Sequence, residues 1–129
     1  MIQVDLQQQG FRQINLVMNL SENRQLEVEN AFGLQVDYAE DNGACMAQLH
    51  QAVRDKLKPE EFSIELTLVG VFACEGIQND EDKKQAQVKI YEALFPYAQA
   101  MLANLTVSAG LPAFLAPRAR LDPEKIQLN

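Results

Sequence analysis

The sequence predicts an α+β fold in which three or four antiparallel strands, running as a meander, come first and helices follow. Three observations predict it. Up to about Gly76 the dominant apolar pattern has period two, beyond Gly76 the period changes, and the intervening segments carry turn chemistry. The chain has 129 residues, 47% of them hydrophobic, which is one domain's worth, and residues 1–129 are read as a single domain with a real core.

The strands come in order. In Phe11–Leu20 (FRQINLVMNL), alternation puts Phe11, Gln13, Asn15, Val17 and Asn19 on one face and Ile14, Leu16, Met18 and Leu20 on the other. Ser21–Arg24 (SENR) is a turn signal. Leu26–Tyr38 alternates well over Leu34, Val36 and Tyr38, and Asn42–Gly43 is the strongest hairpin dipeptide in the chain. Cys45–Asp55 fits either a strand or a short helix. Its Ala and Gln content favours helix, but the hairpin turn needs a partner strand, so a strand is assigned. Pro59 forces a loop within LKPEE. Phe62–Cys74 is the clearest strand, with Gly70 marking a bulge or bend.

The helical half turns on Pro96. A proline in a helix interior removes one backbone hydrogen bond and costs about 3 kcal/mol, whereas in a first turn its missing N–H is harmless. Ala98, Met101, Leu102, Leu105 and Ala109 form one stripe, and Gly110 stands where a helix would stop. The spacing therefore predicts a helix beginning at Pro96, with a kinked longer helix from about Gln85 as the second choice. Asp80–Lys84 reads as a solvated loop or helix start. Gly110–Pro117 (GLPAFLAP) is too proline-rich for a helix and too apolar for an ordinary loop, so it packs on the body or presents apolar surface for a purpose. Asp122 caps a short terminal helix with Pro123 in its first turn.

Composition and motifs exclude several function classes. The net charge is −7 and the pI about 4.6, with basic residues scattered, so no phosphate-binding face is expected and nucleic acid is excluded as a partner. The first twenty residues lack the basic-then-apolar order of a signal peptide, and no apolar stretch is long enough for stable membrane insertion. A cytoplasmic location is expected. Cys45 and Cys74 fit no metal spacing and are read as reduced, partly buried thiols. His50 is the single histidine and reads as structural or partly exposed. Asn79–Asp82 lacks the glycine and terminal Glu of a calcium loop. No nucleotide-binding or nucleophile-elbow motif occurs, so neither enzymatic activity nor a cofactor or metal is expected.

A series of motifs resembles the SecB family of protein-export chaperones. It comprises Gly70–Val71–Phe72, Gly76–Ile77, Leu94–Phe95–Pro96–Tyr97–Ala98, Gly110, Pro112 and Leu115–Ala116–Pro117. Their order and spacing over about Phe62–Pro117 carry the likeness, while the region before residue 60 matches in strand pattern only. The resemblance implies a four-stranded antiparallel sheet backed by one long and one short C-terminal helix. It also implies a homotetramer built as a dimer of dimers, apolar grooves for unfolded precursor proteins, and delivery to the motor ATPase SecA. Glu65 falls where the family carries an acidic residue on its SecA-facing sheet, and the loop matching GLPAFLAP covers or lines the client groove. Two departures weigh against delivery rather than holding. Arg118, Ala119 and Arg120 follow LAP where the family usually continues apolar, and the chain ends at Asn129 without the longer tail of typical members. SecB-like chaperones dedicated to a single partner, such as an antitoxin, are the alternative.

Phe95, Tyr97, Leu111, Phe114 and Leu115 are the apolar candidates for a client-binding groove. Aromatic anchors bring large area at small entropic cost. Burying one such side chain contributes roughly 1.5–3 kcal/mol, so a few suffice for micromolar binding after ordering costs. Taken singly, Phe95 and Tyr97 read more readily as helix-packing core, while Phe114 and Leu115 read equally as groove or core.

Overall fold

The structure, a computed structural model, describes residues 1–21, 25–126 and 128. Four strands form one antiparallel sheet: β1 (Gln3–Met18), β2 (Val28–Tyr38), β3 (Ala44–Asp55) and β4 (Phe62–Glu75). A long helix, α1 (Asp80–Ser108), crosses one face, and a 3-10 turn at Pro123–Lys125 stands where the short terminal helix is expected. The α+β class and the strand at Cys45–Asp55 match the sequence reading. Of the turn expected over Ser21–Arg24, residues 22–24 lie outside the described residues.

The strand order is β1-β4-β3-β2, so the sheet is not a simple meander. β2, β3 and β4 follow one another by hairpins, but β1 lies beside β4, a Greek-key arrangement. Periodicity fixes which side chains share a face; it does not choose a strand's neighbour. Here the connection 19–27 is longer than hairpin loops usually are. It is tied to the loop between β3 and β4. The Asn19 N–H donates to the Glu61 carbonyl at 2.8 Å, the Ser21 N–H and hydroxyl to the Glu61 carboxylate at 3.2 Å, and the Glu27 N–H to the Asp55 carboxylate at 3.3 Å. Asp55 and Glu61 are both buried, so two carboxylates secured by backbone donors hold the crossover across the sheet's end.

β1 carries two irregularities in its register with β4, between Leu6 and Gln8 and between Phe11 and Gln13. Each adds a residue and flips the alternation. As a result Phe11 shares the inner face with Ile14, Leu16 and Met18, against the simple alternation that put it with Gln13; it pairs with inward-facing Leu68 and packs against the core. β4, by contrast, pairs with β3 without a register shift. Gly70 is therefore not a bulge. It faces α1, where a Cβ would stand 2.7 Å from the Leu94 side chain, so the glycine lets the helix approach the sheet.

The helix does not begin at Pro96. α1 spans 29 residues and carries Pro96 in its interior. Its buried residues Ala86, Ile90, Tyr91, Leu94, Phe95, Ala98, Leu102 and Thr106 run through the proline as one continuous stripe. Several such burials, at roughly 1.5–3 kcal/mol for each large side chain, outweigh the loss of about 3 kcal/mol from one proline. Pro96 and Glu92 both lie on the exposed side, where water can satisfy the Glu92 carbonyl that has lost its donor. Asn79 caps the helix by accepting from the Asp82 N–H at 2.9 Å, while the Asp82 carboxylate accepts from the Gln78 N–H at 2.9 Å. The other end closes as a Schellman motif: Gly110 has φ +84°, its N–H reaches the Val107 carbonyl, and the Leu111 N–H reaches that of Thr106.

Candidate functional site

One end of the sheet is left open by this topology. Met18 ends β1, Val28 begins β2, Val53 lies near the end of β3 and Phe62 begins β4, while α1 delivers Thr106 and the Gly110 cap to the same place. Val53 and Phe62 form a closed apolar floor. Leu20 and Leu26 from the crossover form one wall, and Leu111, Pro112, Ala113 and Phe114 form the other, enclosing a groove of about 560 Å³. The crossover wall is tethered through polar groups outside the groove. Besides holding Glu27, the Asp55 carboxylate accepts from the Lys58 N–H at 3.0 Å, and Lys58 lies 3.5 Å from the Glu61 carboxylate.

Beyond Gly110 the chain runs back along α1 as an extended arm, residues 111–122, without regular secondary structure. Three α1 side chains hold its backbone. Thr106 Oγ1 accepts from the Phe114 N–H at 2.9 Å, Gln99 Nε2 donates to the Ala116 carbonyl at 3.1 Å, and the Tyr91 hydroxyl accepts from the Ala119 N–H at 3.0 Å. Ala116 is buried. Tyr91 also stacks at a tilt between Phe32, 4.9 Å away, and Phe95, 5.6 Å away, and burial raises its phenol pKa.

Of the apolar residues expected at a groove, Leu111 and Phe114 are half-buried in its wall. Leu115 is 69% exposed and points away from it. Phe95 is buried in the core against Tyr91, and Tyr97 is half-exposed on the other side of α1; neither borders the groove. Glu65 lies on the sheet face opposite α1, where Arg54 binds its carboxylate at 2.8 Å. On that face too, His50 Nδ1 lies 3.0 Å from the Thr67 hydroxyl.

Sequence reasoning did not single out Met18, Leu20, Leu26, Val28, Val53 or Phe62. All six lie in segments already read as alternating strands, where an apolar residue signals core. The one available cue was the crowding of apolar residues at strand ends next to loops. At the opposite end of the sheet Cys45 and Cys74 are buried with their sulfurs 3.7 Å apart. Burial, with Cys74 alongside, pushes the Cys45 thiol up to about 12, and burial raises Cys74 as well. Both are thus held as neutral thiols.

This fold and groove can be set beside known proteins. The family model described as SecB, preprotein translocase subunit SecB, matches residues 2–118. The chain belongs to the SecB family. The match takes in β1, β2 and β3 as well as the Phe62–Pro117 motif series. Among solved structures, this SecB-family chain is similar to the Mycobacterium tuberculosis Rv1957 SecB-like chaperone, determined in complex with a ChAD peptide from the Rv1956 HigA1 antitoxin. The TM-score is 0.70 at 14% identity, covering 91% of this chain and 88% of that one, and this likeness shows a shared fold. No curated protein sequence matches the chain. No helix among the described residues is long and apolar enough to cross a membrane.

Proposed function

We propose that this SecB-family protein is an ATP-independent chaperone that holds unfolded precursor proteins by their extended apolar segments. The observation that carries the reading is the groove of about 560 Å³, apolar on floor and walls and bounded by an extended arm rather than a rigid element. Such a site accepts side chains of varied shape, because it offers area and few fixed polar partners. Leu111 and Phe114 are its anchors.

A homotetramer is part of the proposal. Tyr97, 42% exposed, and Val107, 57% exposed, share a helical flank with Ala100 and Asn104, and no element among the described residues covers it. Packing of a second α1 there would bury the flank. Delivery to SecA rests on Glu65, which faces outward but is already paired with Arg54. The second reading is a chaperone dedicated to one partner. The support for it is the similar fold of Rv1957, which carries an antitoxin peptide.

The deciding experiment measures capture of a chemically unfolded, slowly refolding precursor by the purified protein, with the folded form as control and light scattering to give mass. Selective capture by a tetramer, lost in Leu111→Ser/Phe114→Ser without loss of fold, is expected. Capture unchanged by that pair would remove the groove assignment, and capture of neither form would leave the single-partner reading.

A further inference from the structure

A second cavity lies where the far end of the arm meets the first half of α1, and it shares no lining residue with the groove. Its volume is about 370 Å³, and its walls are Val88, Tyr91 and Glu92 of α1 and residues 118–121 of the arm. Tyr91 and Glu92 follow Val88 by three and four positions, so the three share one face of the helix. On the arm, Arg118 and Arg120 stand two apart, which in an extended chain turns both to the same side. Both border the cavity.

The hydrogen-bond donors there are unspent. Neither guanidinium has an ion pair or hydrogen bond among the described residues, whereas Arg54 on the outer face of the sheet is paired with Glu65. Tyr91 is 1% exposed, and its hydroxyl oxygen accepts from the Ala119 N–H at 3.0 Å. Its own proton reaches no acceptor among the described residues. Burial raises that phenol above its ordinary 10.0, outweighing the Ala119 N–H and the Arg118 charge, so at neutral pH it stays a donor.

Charge and shape narrow the ligand. Two cations and the carboxylate of Glu92 line the cavity, leaving a single net positive charge that suits a monoanion better than a phosphate. A guanidinium fork matches the two oxygens of a carboxylate. The remaining side chains, Val88, Ala119 and Leu121, are apolar. The ligand therefore carries a carboxylate with an apolar group a few bonds away. The C-terminal residue of a peptide ending in an apolar side chain has both on one Cα, and so has a free N-acyl amino acid. An Asp or Glu side chain would instead bring polar backbone against the apolar wall.

We propose that Arg118, Arg120 and the Tyr91 hydroxyl form a carboxylate-binding site, with Val88 and Leu121 receiving the apolar group beside the carboxylate. The site stands apart from the groove and does not depend on client holding there.

The test titrates the full chain with a fluorescent peptide ending in Ala-Val-Leu, once with a free C-terminal carboxylate and once amidated, and reads anisotropy. The free acid is expected to bind roughly ten-fold more tightly than the amide, the scale of one hydrogen bond to a charged group. Any binding of the peptide to the groove is common to both forms and cancels in this ratio. Equal affinity would overturn the proposal. N-acetylleucine separates the two sources: displacement of the free-acid peptide assigns the site to small acids as well, and failure to displace it assigns the site to peptide C-termini.

Arg118→Gln with Arg120→Gln should abolish the difference between acid and amide, and the corresponding pair of lysines should restore only part of it, because a lysine keeps the charge and loses the fork. Both arginines are exposed, so thermal melts should match wild type. Glu92→Gln, which removes the like charge from the wall, should tighten the free acid several-fold; unchanged or weaker binding would overturn the site. Inorganic phosphate competing more strongly than acetate would overturn the choice of a monoanion. Precursor capture should be unchanged in the double glutamine variant, and its loss there would overturn the separation of this site from the groove.

Discussion

At one end of the sheet, Gly76 turns at φ +82° so closely against Met1 that a Cβ would collide with its backbone, Asn79 caps α1, and the two cysteine sulfurs sit 3.7 Å apart. At the other end, Met18, Val53 and Phe62 meet the α1 terminus across a groove of about 560 Å³. The first end is closed by backbone and short side chains, which leave no room. The second is bordered by loops, of which the crossover is held by the buried carboxylates of Asp55 and Glu61. Rigidity and openness thus come from the same few elements, and the difference lies in what closes them. A binding surface needs the second arrangement and needs the first to hold it in place.

The largest effect should come from the tightly packed interior that supports both ends. Leu94→Ala removes a fully buried side chain lying against Gly70 and should cost about 2–5 kcal/mol in chemical denaturation. A loss below about 1 kcal/mol would show that the site collapses and that the close approach at Gly70 matters little. Next, Asp55→Ala leaves the Glu27 and Lys58 amides without their carboxylate. It should cost about 1–3 kcal/mol for each orphaned donor and reduce precursor capture as the crossover loosens. At the opposite end Asn79→Ala should cost only about 1 kcal/mol and leave capture intact; equal effects on capture would erase the distinction between the ends.

The dependence on pH sharpens the contrast. The Cys45 thiol is raised from its ordinary 9.0 to about 12 in the fold by burial, so the folded state holds its proton more tightly than the unfolded one. Its contribution to stability is complete below pH about 9 and is lost as pH climbs toward 12. Cys74, Tyr38 and Tyr91, also raised chiefly by burial, act in the same direction. Thermal melts should be insensitive to these groups at neutral pH and fall in alkali, less steeply in Cys45→Ala. The smallest effect on stability belongs to the open end: Phe114→Ser, at a half-buried position, should change unfolding free energy by about 1 kcal/mol or less while precursor capture drops clearly.

The strand and helix segments were legible because burial on one face imposes a period. Leu34, Val36 and Tyr38 alternate cleanly, and the turn at Asn42, which takes φ 56°, fixed the partner strand. Phe11 was misplaced because a bulge adds a residue without leaving a local signature. Pro96 misled for a related reason: its penalty is local and visible, whereas the continuous stripe that overrides it is a property of the packed helix. At the site, Leu111 and Phe114 were visible as apolar residues in a loop. The floor residues Val53 and Phe62 were not, since a strand end facing a groove and one facing a core carry the same pattern.

The sequence by itself determined the class of fold, the strand segments from Leu26 onward and the presence of an apolar arm after Gly110, because these follow from local periodicity, turn chemistry and composition. Only the tertiary structure decided that β1 lies beside β4, that α1 runs unbroken through Pro96, and that the arm lies back on Thr106, Gln99 and Tyr91. Those outcomes depend on contacts between residues far apart in the chain, whose summed burial and paired polar groups exceed any local preference.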